Sequence, residues 1–345
     1  MSKSGRVHYI DIAKAFAIFY IALGHTIIHS AHTYSILRFV CSFHVVLFFV
    51  LSGYTFKIKN DSNFWLFFKN KFIRIIVPYI LWTLIYLIPY MIFGSDVGKS
   101  LGTMQSFDLK EHIINIIYGN GANAALKQNS SLWFLPALFT IEMIYYCIIK
   151  YSRDNYIKEI IILFCLLLLG FLSVNYLKIV FPFGFNTALN VGIFFYIGYL
   201  SKEWNLVEKY SNFFLSLFLF VIGLFACFYG NSNHISYIDF YYGNYFFTLL
   251  SGFCFSFFTI FMSKNINTNS ILEYVGRNTM GLLIFHKIVI IIFQTKMGII
   301  TQLLINSNFI VEIFLGGSVV IISFIFSLAL NKLVKMYCPF MIGEK

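Results

Sequence analysis

The sequence predicts an all-α, polytopic membrane protein, with about ten transmembrane helices in one bundle and both termini in the cytoplasm. Three observations predict it. Of the 345 residues, 59% are hydrophobic and 11% charged, with a mean hydropathy of +0.79, whereas a soluble domain carries about 25% charged residues. Apolar runs of about 20 residues, long enough to cross hydrocarbon, recur along the whole chain. Lys and Arg are unevenly divided between alternate connections, as insertion orientation requires. The first observation alone excludes a soluble enzyme, a secreted disulfide scaffold and a disordered chain.

The first span is expected over residues 9–29. Lys3 and Arg6 precede it, but Asp11 and Lys14 interrupt the run and no small-residue cleavage site follows, so it reads as a retained helix and not a signal peptide. The second covers 38–57 and the third 73–94, after the basic stretch Lys69-Asn70-Lys71-Phe72-Ile73-Arg74. The fourth and fifth cover 131–150 and 157–178. The sixth, 184–201, follows Pro182 and contains glycines. The seventh to tenth are 211–230, 244–263, 271–293 (polar at its start) and 308–334. Ten spans return the chain to its starting side. That side, helix ends included, holds 18 of the 25 Lys and Arg and the other side 7, which places both termini in the cytoplasm.

The net charge of +11 has this origin, so the expected partner is the lipid bilayer and not nucleic acid. The six cysteines form no CxxC and no metal-ligand spacing with histidine, and read as apolar residues or free thiols. The longest polar stretch, 95–130, contains an apolar run at 113–118 too short to span. Gly119, Asn120, Gly121 and Asn123 mark turns after it, and the stretch is an interfacial helix or a lid over an external cavity. Neither a repeat nor a soluble domain interrupts the chain, so residues 1–345 are expected to form a single membrane domain.

Charge in hydrocarbon is expensive, so ionisable residues inside spans are candidate functional groups. They are Asp11, Lys14 and His25 in the first span, His44 in the second, Glu142 in the fourth and His286 in the ninth. At about 1.5 Å per residue, His25, His44 and His286 fall at similar depth, roughly 6 to 10 Å below the outer ends of their helices. They are either three separately bonded histidines or one cluster. Lys14 precedes His25 by eleven residues, close to three turns, so one face carries a cation near the cytoplasm and an imidazole further out. Asp11 is placed to pair with Lys14 at i, i+3, or both snorkel to the boundary. Lys71 and Arg74 are i, i+3 at an expected helix start, which makes them either an anion grip or ordinary cytoplasmic charge. Glu142 lies mid-span, where it needs a partner or a proton.

These residues resemble the acyltransferase family 3 membrane proteins, and among them the fucose 4-O-acetylase-like O-acetyltransferases. Tyr9-Ile10-Asp11-Ile12-Ala13-Lys14 through Leu23-Gly24-His25 is similar to the family's R/K-X10-H element. Phe43-His44-Val45-Val46-Leu47-Phe48-Phe49-Val50-Leu51-Ser52-Gly53-Tyr54 resembles its second-helix pattern. Lys71-Phe72-Ile73-Arg74 before Pro78-Tyr79 stands where the family has RxxR, and the first Arg is here Lys, which keeps the charge and loses the planar bidentate fork. Leu132-Trp133-Phe134-Leu135 resembles the opening of the fourth span, and Gly276-Arg277-Asn278-Thr279 through His286 the late G-x-N-S/T…H element. The resemblance covers residues about 8–335.

The resemblance implies a multi-pass enzyme of the cell (inner) membrane. It would move an acetyl or other short acyl group from cytoplasmic acetyl-CoA, a co-substrate, to a hydroxyl on a surface polysaccharide or its lipid-linked precursor. On this reading Lys14, Lys71, Arg74 and Asn278 contact the donor. His25 is the general base or an acyl carrier, His44 and His286 support it, Glu142 completes the catalytic set, and no metal is expected. Two rivals stand beside it. A polysaccharide flippase would not need the cation pair in register with a histidine. A polymerase would be expected to carry outer-loop arginines, of which Arg38 is the one present.

Overall fold

The computed structural model describes residues 6–26, 34–58, 63–100, 108–122, 125–126, 128–152, 155–296 and 309–344. Among the positions used above, Lys3, Asn123, residues 27–29 of the first expected span, residue 308 of the last, residues 101–107, and the charges counted at Lys59, Lys127, Arg153 and Lys345 lie outside them. The described elements are helical: α1 (His8–Thr26), α2 (Tyr34–Cys41), α3 (His44–Thr55), α4 (Phe64–Lys71), α5 (Val77–Ser100), α6 (Leu109–Tyr118), α7 (Phe134–Ser152), α8 (Tyr156–Asn175), α9 (Phe185–Val191), α10 (Ile193–Glu203), α11 (Leu206–Tyr210), α12 (Phe213–Gly230), α13 (Tyr245–Ile266), α14 (Ser270–Arg277), α15 (Thr279–Lys296) and α16 (Phe309–Tyr337). An isolated bridge between Ser236 and Tyr241 is the nearest approach to a strand among the described residues.

Asparagine and aspartate start many of these helices. Asn63, Asp108, Asn155, Asn212, Asn244 and Asn269 each accept a backbone N–H of the first turn of α4, α6, α8, α12, α13 and α14. A helix entering hydrocarbon leaves its first N–H groups without partners, and the short polar side chain supplies one.

By length and composition, seven described helical runs can cross a membrane, and nine if each of two bent pairs is one span. The seven correspond to the second to fifth, seventh, eighth and tenth expected spans. The sixth and ninth expected spans are each a bent helix pair, broken by 59° and 84°. The ninth breaks at Asn278, whose side-chain Nδ2 donates to the Tyr274 carbonyl at 2.7 Å while its N–H turns to Val275 at 3.0 Å. A side-chain amide competing for the carbonyl one turn back is a recognised helix breaker. The third span also differs. Its helical run starts at Phe64, capped by Asn63, and passes through a π turn at Phe72–Ile76 before α5. Lys71 and Arg74 are therefore well inside a helix and not at its start.

The first expected span is α1, which carries Asp11, Lys14 and His25 and is less apolar than the others. Its position explains how it tolerates them: it packs on α3, α13, α14, α15 and α16 and buries most of its length. The lipid-facing rim is α8, α12 and α16, each with 22% of its apolar window buried, against 72% for Ser130–Ser152. Small residues let backbones approach, as in other membrane bundles. A Cβ built on Gly276 of α14 would stand 1.8 Å from the Asp11 carbonyl oxygen of α1, and one on Gly53 of α3 would stand 1.8 Å from the Phe195 carbonyl oxygen of α10. We expect Gly276→Ala to cost about 1–3 kcal/mol as an overpacked contact, read as a lower midpoint of thermal unfolding in detergent. An unchanged midpoint would mean that α14 does not sit this close to α1.

Candidate functional site

The histidine on α1 and that on α15 meet. The His25 and His286 rings lie 5.5 Å apart with planes inclined by 34°. His44, the first residue of α3, lines with His25 a cavity of about 320 Å³, together with Ser130, Ser131, Trp133 and Tyr237 among others. The three histidines thus form one cluster, and the depth expected of them brings them together. The loop between α12 and α13 supplies the lining residues His234, Ile235, Ser236, Tyr237 and Ile238. It is anchored there: Tyr237 Oη donates to the Ser42 carbonyl at 2.8 Å, and Arg38 of α2 donates to the carbonyls of Phe228 and Asn231. Among the described residues, this loop and Ser130, at the end of the 95–130 stretch, both line the cavity. The helix in that stretch, α6, instead packs on α5, where Tyr79 Oη donates to the Ile116 carbonyl at 2.8 Å.

Backbone carbonyls fix two of the imidazoles. His44 Nδ1 lies 2.8 Å from the Val40 oxygen and His286 Nδ1 2.7 Å from the Leu282 oxygen. A carbonyl only accepts, so both Nδ1 atoms carry the proton and both Nε2 atoms of the neutral rings are left as acceptors. His286 Nε2 is buried with no hydrogen-bond partner among the described residues. His25 Nε2 lies 3.2 Å from Ser131 Oγ, on the 3₁₀ turn Ser130–Trp133 that leads into α7. Lys287, next to His286, donates through Nζ to Ser130 Oγ. The sequence reading missed Ser130, Ser131 and Lys287. Lys287 carries a signal, being a cation inside the apolar run of the ninth span.

Lys14 lines a second cavity of about 160 Å³, with Ser52 and Thr55 of α3 and Thr279 and Met280 of α15. Phe134 and Leu283 line both cavities, so these two side chains stand where the histidine and lysine chambers meet. The expected pairing of Lys14 with Asp11 does not form. Arg6 Nε holds the Asp11 carboxylate at 2.6 Å, reaching it from the non-helical residues before α1, and Lys14 is left without an ion pair among the described residues.

The other expected site residues lie elsewhere. Glu142 finds its partner in Lys71, at 2.7 Å between Nζ and Oε1, and lines neither chamber. Lys71 Nζ also faces the rings of Phe67 and Phe56, at 5.5 and 5.8 Å. Arg74 is exposed. Lys71 is thus engaged with Glu142, while the Arg74 side chain, inside the π turn, stays at the surface. Asn278 is committed to the helix break: besides bonding Tyr274, it accepts from Asn331 Nδ2 at 2.8 Å. Among the described residues no three His, Cys, Asp or Glu side chains converge as a metal-ligand set.

Neither curated proteins nor solved structures gave a match to the chain. A family model did: the acyltransferase family 3 model, described as an acyltransferase domain, matches residues 7–328. That stretch contains the cluster of His25, His44 and His286, the lysine chamber and the turn bearing Ser131. The chain is a membrane acyltransferase and belongs to acyltransferase family 3.

Proposed function

We propose that the protein transfers an acetyl group, or another short acyl group, from acetyl-CoA to a hydroxyl on a surface polysaccharide sugar or its lipid-linked precursor, in the manner of the fucose 4-O-acetylase-like members of the family. The supporting observation is the pair of chambers meeting at Phe134 and Leu283, one with a lysine that has no ion pair among the described residues and the other with histidines. A thioester donor has a polyanionic end and a long thin arm. Lys14 offers a cation to the anionic end, with exposed Arg74 on the surface as a second contact. The arm reaches past Phe134 and Leu283, so the acyl carbon arrives beside His25. The neutral imidazole takes the proton of an attacking hydroxyl, and His44 and His286 orient the acceptor and the developing charge. The acceptor enters beneath residues 234–238. Family membership sets aside the flippase and polymerase readings, which need no acyl donor.

The direct test is mass spectrometry of surface glycans from cells with and without the gene, paired with radiolabel transfer from acetyl-CoA by the purified protein. We expect base-labile acetyl esters that vanish with the gene. Identical acetylation in both strains would remove this function. For the donor contact, Arg74→Ala is expected to raise the KM for acetyl-CoA about tenfold, the value of one charge-assisted hydrogen bond, with little change in that for the acceptor. Equal effects on both would take Arg74 out of the donor site.

A further inference from the structure

We infer that Ser131 carries the acyl group as a serine ester between donor and acceptor. The inference rests on the proposed acyl transfer and adds the residue through which it runs. It starts from where the hydroxyl points. Several buried serines of the bundle bond to a carbonyl of their own helix, as Ser173 does to Gly170, Ser201 to Ile197 and Ser263 to Thr259, and Ser152 also reaches the Glu159 carboxylate of the next helix. Ser131 does not bond such a carbonyl: its buried Oγ crosses to another helix and lies 3.2 Å from His25 Nε2. A hydroxyl beside the ring nitrogen of a histidine, at the wall of a cavity, is the arrangement of an activated nucleophile and its base.

The hydroxyl is also held still. Asn129 accepts the Ser131 N–H through Oδ1 at 3.1 Å and donates through Nδ2 to the Ile284 carbonyl of α15 at 3.0 Å. The turn is thereby fixed to the helix that bears His286. Charge favours attack at this place. The 3₁₀ turn runs directly into α7, so Oγ stands at the amino end of a long helical segment, where negative charge is stabilised. Lys287 adds a cation one residue away, at Ser130 Oγ. At about 320 Å³ the chamber is at the small end of ligand cavities.

The chemistry closes in two steps. Oγ attacks the thioester carbonyl as His25 Nε2 takes its proton; the C–S bond breaks, and the proton passes to the departing thiolate, leaving a free thiol and an ester on Ser131. The acceptor hydroxyl then gives its proton to the same Nε2 and attacks the ester carbonyl; the C–Oγ bond breaks and the proton returns to Oγ. The acceptor leaves as an ester, and Ser131 and His25 are restored.

The test uses the full chain purified in detergent, with labelled acetyl-CoA and no acceptor. We expect acid-stable label on the polypeptide, on the peptide containing Ser131, and exchange of label between acetyl-CoA and free CoA. Ser131→Ala loses both. Ser131→Cys, which guards against a folding defect, keeps the label as a thioester that neutral hydroxylamine releases, whereas the wild-type ester needs alkaline hydroxylamine. A wild-type protein that acetylates surface glycans in cells but shows neither label nor exchange overturns the carrier and leaves the acyl transfer intact. Label on His25 or Ser130 overturns it as well. Glycan acetylation that is identical with and without the gene would instead remove the function beneath it.

Discussion

Replacing His25 by alanine is expected to abolish acyl transfer while the protein still inserts and folds. In the proposed scheme both reactant hydroxyls lose their proton to this imidazole, and a positioned general base contributes about 10² to 10⁴ in rate. The effect should appear in kcat and not in the KM for acetyl-CoA, since the scheme puts the donor's charged end at the lysine chamber, three helical turns along the same face of α1. His25→Asn keeps a polar group beside Ser131 Oγ but cannot accept the proton, so it should be as inactive as the alanine variant. His44→Ala and His286→Ala should be milder. Each of those rings spends its Nδ1 proton on the carbonyl four residues back and offers an acceptor nitrogen, to which the proposal gives the orienting of substrate and not the reaction itself. Initial rates on the four purified proteins, with thermal midpoints measured alongside, decide the matter. Near-wild-type turnover in His25→Asn would show that no proton passes through this nitrogen.

The parts of this site that a one-dimensional reading reaches are those fixed by helical rise and face. Lys14 and His25 share a helix, so their separation follows from the residue count. His25, His44 and His286 sit at known distances from the ends of their own spans, so their common level follows too, and their convergence in one cluster bears it out. What the sequence does not carry are contacts set by how helices and loops lie against one another. Ser131 belongs to a turn whose direction depends on Asn129 gripping α15. The cover over the chamber comes from residues 234–238, held by Tyr237 and Arg38 on distant elements. Arg6 outcompetes Lys14 for Asp11 from outside the helix, where i, i+3 geometry says nothing. The ion pair between Lys71 and Glu142 joins two helices far apart in the chain and has no residue signature, yet it reassigns Lys71.

That reassignment leads to the second large effect. Lys71→Met should destabilise the protein by about 3–5 kcal/mol, the cost of stranding one member of a buried ion pair. Glu142 has 8% of its side chain exposed, and its second oxygen, Oε2, already lacks a partner among the described residues. Without Lys71 the carboxylate must be buried alone or take up a proton. Glu142→Leu should cost a similar amount for the opposite reason, leaving an ammonium between the rings of Phe56 and Phe67 with no counter-charge. The double variant, Lys71→Met with Glu142→Leu, should regain most of the loss, because a buried pair replaced by apolar residues of similar volume is often neutral. Thermal unfolding of the four proteins in one detergent gives the coupling energy directly. The same double variant separates structure from donor binding. If Lys71 serves Glu142 alone, its KM for acetyl-CoA stays near that of the wild type once stability is restored. A donor KM still raised about tenfold in the stable double variant would return Lys71 to the donor site, at the strength of a charge-assisted contact to phosphate.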